Sequence, residues 1–200
     1  LLFLIVVALA LALRIWGLDR DSPSVDVLPD EAIWTDEGTL ALSAVEAVRG
    51  DAPLSNSTTL TAGAHPFYST ILYAAFRAFG PGRIQGRIVS IVFGIAGLLA
   101  LAWLGRILWR DQGSLLALLF GGLGFFSVMF DRLILVEGPL VALLSVIAFL
   151  GVLAQSAFGG LVVGIGLGLI AVGIKLHALA LLPALAFLYA LRRRRMFFPF

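Results

Sequence analysis

No cysteine occurs in the chain, which excludes a disulfide framework, a thiolate metal site and a cysteine nucleophile, and leaves the redox compartment unread. Charge is scarce as well. Only 13% of the 200 residues are Asp, Glu, Lys or Arg, against about a quarter in soluble domains. Lysine occurs once, at Lys175, and histidine twice, at His65 and His177. Beyond residue 51 only three carboxylates remain, Asp111, Asp131 and Glu137. So few charges cannot solvate a soluble surface, and no basic patch suited to nucleic acid is present. The one basic run, Arg192 to Arg195, reads as an anchor on the cytoplasmic side of a membrane.

What the chain has instead is apolar length. Sixty per cent of its residues are hydrophobic, and the mean hydropathy is +1.05. The expected fold is all-α, a polytopic transmembrane helix bundle of about six spans with an external loop that carries interfacial helices. Residues 1–18 form the first span, interrupted only by Arg14, which is expected to snorkel to the interface from near the helix end. A cleaved signal peptide is the alternative for this stretch, but it lacks a basic leading segment. Further apolar helices are expected at about 88–108, 114–130, 137–154 and 158–174, and a last one at 177–191. Six glycines in 158–174 suit close helix packing in lipid. The chain starts at Leu1 inside an apolar run and ends at Phe200 beyond the arginines, and it is expected to be a single N-terminal membrane module of a longer protein. Within it, 19–87 is the external loop and 88–191 holds five spans.

The polar region between residues 19 and 64 carries prolines 23, 29 and 53 and nine of the twelve acidic residues. A helix is expected from Glu37 to Arg49, stopping at Gly50. Residues 65–80 should form another, bounded by Pro66 and by Gly80-Pro81-Gly82. At 1.5 Å per residue it would rise about 24 Å, short of the ~30 Å hydrocarbon core. If it lies along the interface rather than crossing, both Arg106/Arg110 and the Arg192 to Arg195 run fall on the cytoplasmic side, as the positive-inside rule prefers. The loop 19–87, the turn 131–138 and the turn 175–177 then share the opposite face.

Charges kept at membrane depth cost ~2.5 to 3.5 kcal/mol and are functional candidates by default. Glu137 and Lys175 qualify, although helix ends in the headgroup region would also accommodate them. Asp36 and Glu37 open a helix, where the dipole keeps carboxylates ionised. An ordinary acidic first turn explains them equally well, and Asp30-Glu31 is a second acidic pair in the same loop. His65-Pro66 could bring an imidazole beside these carboxylates, though a helix-start proline accounts for half of the motif. His177 reads as a cap on the last span. Asn56-Ser57-Thr58 is a formal glycosylation acceptor.

Taken in order, these residues resemble the lipid-dependent glycosyltransferases of the GT-C superfamily, the group containing protein O-mannosyltransferases and the aminoarabinose transferases of lipid A. The stations are Asp36-Glu37 with a helix ending at Gly50-Asp51; His65-Pro66 followed by Phe79-Gly80 and Arg87; Asp131-Arg132-Leu133-Ile134-Leu135-Val136-Glu137-Gly138-Pro139-Leu140; and Gly173-Ile174-Lys175. They cover about 140 of the 200 residues. Phe67 replaces a second proline, glutamate stands at 137 where aspartate is usual, and Leu176 follows the lysine in place of glycine. These departures leave the subfamily, and with it the sugar, open.

The resemblance implies a polyprenyl- or dolichyl-phosphate sugar donor and an acceptor hydroxyl, with the active site on the external face of a bacterial or archaeal plasma membrane. It selects Asp36 and Glu37 over Asp30-Glu31, with Glu137, as catalytic candidates. Lys175, Arg132 and His65 become candidates for the donor phosphate. A divalent cation could be held by two of the carboxylates and the histidine, but nothing in the sequence requires one. The partners implied are the lipid-linked sugar, membrane lipid and an acceptor protein, lipid or glycan. The rival readings are a transporter or channel using Glu137 and Lys175 as relay charges, and a non-catalytic membrane subunit.

Overall fold

The computed structural model describes residues 2–19, 36–51 and 65–153, together with Gly168. Every element among them is helical. Helix α1 is Leu2–Ile15, α2 is Asp36–Arg49, α3 is Pro66–Phe79, and α4 is Arg83–Ala117, which runs on into a π-helical turn at Leu118–Gly122. Helix α5 is Phe125–Asp131 and α6 is Glu137–Leu153. The spans expected at 158–174 and 177–191 lie outside the described residues.

The helix boundaries follow local chemistry. Gly17 takes φ +60° just past α1, and the Leu18 N–H closes on the Ile15 carbonyl at 3.2 Å. Gly50, at φ +83°, ends α2 in the left-handed conformation that a glycine adopts without steric cost. Pro66 opens α3, where a missing N–H costs nothing.

Helix α4 is two limbs. At Trp109 the backbone leaves the helix, and Arg110 takes φ 56°, ψ −145°. The chain reverses there, because a Cβ on Gly121 would lie 3.1 Å from Leu98 Cδ1. On a straight helix their separation of 23 positions would span about 35 Å. Near the reversal the backbones of Gly105 and Gly113 meet with no room for a side chain on either. Small residues thus bring two apolar helices into direct backbone contact.

Contacts along the helices give the direction of each pass. Val6 and Ala10 pack with Leu98, Ala102 and Leu118, while Leu18 meets Arg87, so α1 is antiparallel to residues 83–108. Gly97 touches Ala142, and the rings of Trp103 and Phe149 meet edge-on at 6.0 Å, so α6 runs parallel to 83–108. The described bundle makes four passes: α1, 83–108, 111–131 and α6. One end carries the Trp109–Arg110 reversal and the other carries the turn at 131–138. Arg83 donates to the Asp19 carbonyl at 3.2 Å. The chain from 19 to 83 therefore leaves and returns at the same end, and α3 is not a lone crossing.

Helices α2 and α3 pack at that end. Leu40, Ala41, Ala44, Tyr68, Leu72 and Phe76 join Ile134 and Val136 in one buried cluster, and Tyr68 and Ser90 share a hydroxyl–hydroxyl hydrogen bond of 3.0 Å. Among the described residues one helical segment, Arg83–Gly122, is long and apolar enough to cross a membrane; Leu2–Ile15 and Glu137–Ile147 are shorter apolar helices.

Candidate functional site

The last carbonyls of an α-helix have no partner within the helix and form the negative end of its dipole. The Leu13 carbonyl in the last turn of α1, and the Leu18 and Asp19 carbonyls in the turn just after it, collect arginines. Arg132 donates to the Leu13 carbonyl, Arg87 to Leu18 at 2.6 Å, and Arg83 to Asp19. Arg87 is fully buried. Guanidinium groups from α4 and from the turn after α5 are thereby gathered at one end of the bundle.

Arg14 is a correction. Instead of snorkelling outward it is fully buried and turned into the bundle. Its Nε donates to Asp131 at 2.9 Å, and Nη2 pairs with the same carboxylate oxygen at 2.8 Å. Nη1 donates to the carbonyls of Ala10 and Gly122 at 3.0 and 2.7 Å. Nη2 also reaches the Gly121 carbonyl and the Ser127 hydroxyl at 3.2 and 3.1 Å. The physical reason is local. The π turn at Leu118–Gly122 and the break at Gly124 release carbonyls that the regular helix would have used, and a guanidinium fork satisfies several at once. A buried carboxylate beside them makes the inward rotamer better than exposure to lipid headgroups. The third expected span is accordingly interrupted, with α5 starting anew at Phe125.

The sequence-derived site residues fall as follows. Asp36 and Glu37 open α2, one turn before Leu40 of the buried cluster; their side chains are outside the described set. His65 precedes α3 by one residue and Tyr68 by three, and its carbonyl accepts the Ser69 N–H at 3.0 Å. Its side chain makes no cap hydrogen bond. Glu137 opens α6, half-buried and next to Val136 of the cluster. Arg132 lies two residues before Ile134. Lys175 lies outside the described residues. The cluster thus brings together the chain segments bearing Asp36, Glu37, His65, Arg132 and Glu137. Among the described residues no group of three or more His, Asp or Glu side chains is arranged to hold a metal ion.

Sequence reasoning missed the Arg14–Asp131 pair. The signal was present as a lone cation and a lone anion in otherwise apolar stretches, and opposite charges stranded in such stretches commonly pair. No family model, curated protein or solved structure matches the chain.

Proposed function

We propose that the chain is the N-terminal membrane module of a glycosyltransferase that moves a sugar from a polyprenyl- or dolichyl-phosphate donor to an acceptor hydroxyl on the non-cytoplasmic face. The bundle crosses the membrane about six times, and the end bearing α2 and α3 faces outward. The observation supporting this reading is the single buried cluster that ties α2, α3 and the 131–138 turn together. Through it, an acidic helix start, a His-Pro helix start and an Arg/Glu turn share one end of the bundle.

In the proposed reaction Asp36 accepts the proton of the acceptor hydroxyl, whose oxygen attacks the anomeric carbon. The bond from that carbon to the phosphate oxygen breaks, and its electron pair leaves with the lipid phosphate. Arg132, Lys175 and His65 stabilise the developing phosphate charge, as preorganised cations do at a departing oxyanion. Glu37 and Glu137 orient these groups, or hold a divalent cation if the reaction uses one. Membranes containing the full-length protein, incubated with radiolabelled short-chain polyprenyl-phosphate mannose or aminoarabinose, should transfer label to protein, lipid or glycan. Absence of transfer from either donor, with the protein present and folded, would refute the reading. Ion movement across proteoliposomes without transfer would favour a transporter.

A further inference from the structure

The Arg14–Asp131 pair sits at a junction of four chain segments. Asp131 is the last residue of α5, and Arg14 binds it from α1. Gly94 of α4 leaves the space that the carboxylate occupies; a Cβ there would collide with Asp131 Cγ and both its oxygens. Gly138, in the first turn of α6, approaches from another side, and a Cβ on it would stand 3.0 Å from Asp131 Oδ1. The carboxylate is therefore enclosed by α1, by the first limb of α4 and by the start of α6. Its chain neighbour is Arg132, and the chain neighbour of Gly138 is Glu137. Both ends of the turn that presents these two candidates are fixed by one buried carboxylate.

We infer that Arg14 and Asp131 are positioning residues for the site, holding the 131–138 turn against the exit of α1 so that Arg132 and Glu137 face the segment that begins at Asp36. This rests on the glycosyltransferase reading. The pair touches neither substrate nor reacting atoms in that reading, and it acts by setting where Arg132 and Glu137 stand. A turn seated this way should lose both turnover and donor affinity when displaced, because it carries Glu137 and the phosphate-binding candidate Arg132.

The test uses the full-length protein in nanodiscs with short-chain polyprenyl-phosphate mannose or aminoarabinose, whichever supports transfer. Asp131→Asn should lower kcat tenfold or more and raise the donor KM at least threefold through the displaced Arg132. Because that variant also strips the buried Arg14 of its counter-ion, Gly94→Ala is its companion. It keeps both charges and forces the carboxylate from its seat. Gly105→Ala, at the other end of the bundle, overpacks against the backbone of Gly113 and touches neither Asp131 nor α6, so it controls for crowding. Gly94→Ala should lower kcat at least tenfold and Gly105→Ala no more than twofold, at matched folded fraction. Spin labels on cysteines at Trp16 and Leu133 should show a narrow distance distribution that broadens in Gly94→Ala and not in Gly105→Ala. Equal losses in the two glycine variants, or an unchanged distance distribution in Gly94→Ala, would overturn the positioning role. Wild-type protein that transfers neither sugar would overturn the parent reading and the positioning role with it, and the distance measurement tells the two failures apart.

Discussion

Replacing Arg14 with methionine keeps much of the stem and removes the cation from a buried charge pair. Asp131, its side chain 8% exposed, would be left without its counter-ion. The Ala10, Gly121 and Gly122 carbonyls and the Ser127 hydroxyl would each lose a donor. Breaking a buried pair from one side costs about 3–5 kcal/mol, because the remaining charge is stranded. An exposed pair supplies the comparison. Arg106 and Asp111 stand 3.6 Å apart with side chains 64% and 89% exposed, a setting in which the interaction is worth about 0–1 kcal/mol. Arg106→Met should therefore shift stability by less than ~1 kcal/mol. Equilibrium unfolding in mixed detergent micelles, titrated with SDS and followed by circular dichroism, measures both. The double variant Arg14→Met/Asp131→Leu should recover part of the loss, since it buries no lone charge, and the difference gives the coupling. If Arg14→Met falls within ~1 kcal/mol of wild type, the pair is not the clamp that its geometry implies.

Cysteines at Gly82 and Ser55 should both label with an impermeant thiol reagent in intact cells, since 19–83 begins and ends at one end of the bundle; labelling of Ser55 alone would refute this. Asp36→Asn in the full-length protein should abolish transfer with expression intact, because the amide preserves the helix start but accepts no proton, whereas Asp30→Asn should be far milder. Lys175→Met should weaken binding of a polyprenyl-phosphate analogue by roughly 1.5 to 3 kcal/mol, the scale of a hydrogen bond to a charged group. An unchanged dissociation constant would remove it from the site. Arg110→Gly should stabilise the bundle by about 1 kcal/mol by relieving a left-handed backbone in a non-glycine residue; destabilisation in the same SDS titration would show that the side chain matters more than the backbone.

Much of the helical framework was legible because its signals are local. The helix expected at 37–49 is observed at Asp36–Arg49, and the one at 65–80 at Pro66–Phe79. Gly50 and Pro66 mark these boundaries through backbone chemistry that needs no tertiary context. The helix expected at 88 begins at Arg83, since an arginine at a helix start carries no stop signal. The interruption at 118–124 was illegible, because an apolar run looks the same whether its carbonyls bond within the helix or to a guanidinium from another one. Arg14 was misread for the same reason. Its position near the end of an apolar stretch is compatible with either rotamer, and the choice is made by Asp131, 117 residues away. The glycines singled out in 158–174 lie outside the described residues, whereas Gly94, Gly97 and Gly105 of α4 make close helix contacts. Glycine count marks a helix able to pack closely, but only the partner's register decides which glycine is used.

The order of passes also bears on Lys175. Helix α1 runs toward the end that carries the 131–138 turn, 83–108 runs away from it, 111–131 returns, and α6 leaves again. The chain at residue 153 is therefore at the Trp109–Arg110 end, beside Arg106 and Arg110. One further crossing by the apolar stretch 158–174 would deliver Lys175 to the opposite end, where Arg83, Arg87 and Arg132 bond carbonyls at and just beyond the end of α1. An interfacial placement of 158–174 would instead leave the lysine beside Arg106 and Arg110, far from every acidic candidate. Under the glycosyltransferase reading, parity is therefore a condition on the site: a donor phosphate held by Lys175 and attacked near Asp36 requires one crossing between residues 153 and 175, and two crossings or none would put the cation and the base at opposite ends of the bundle.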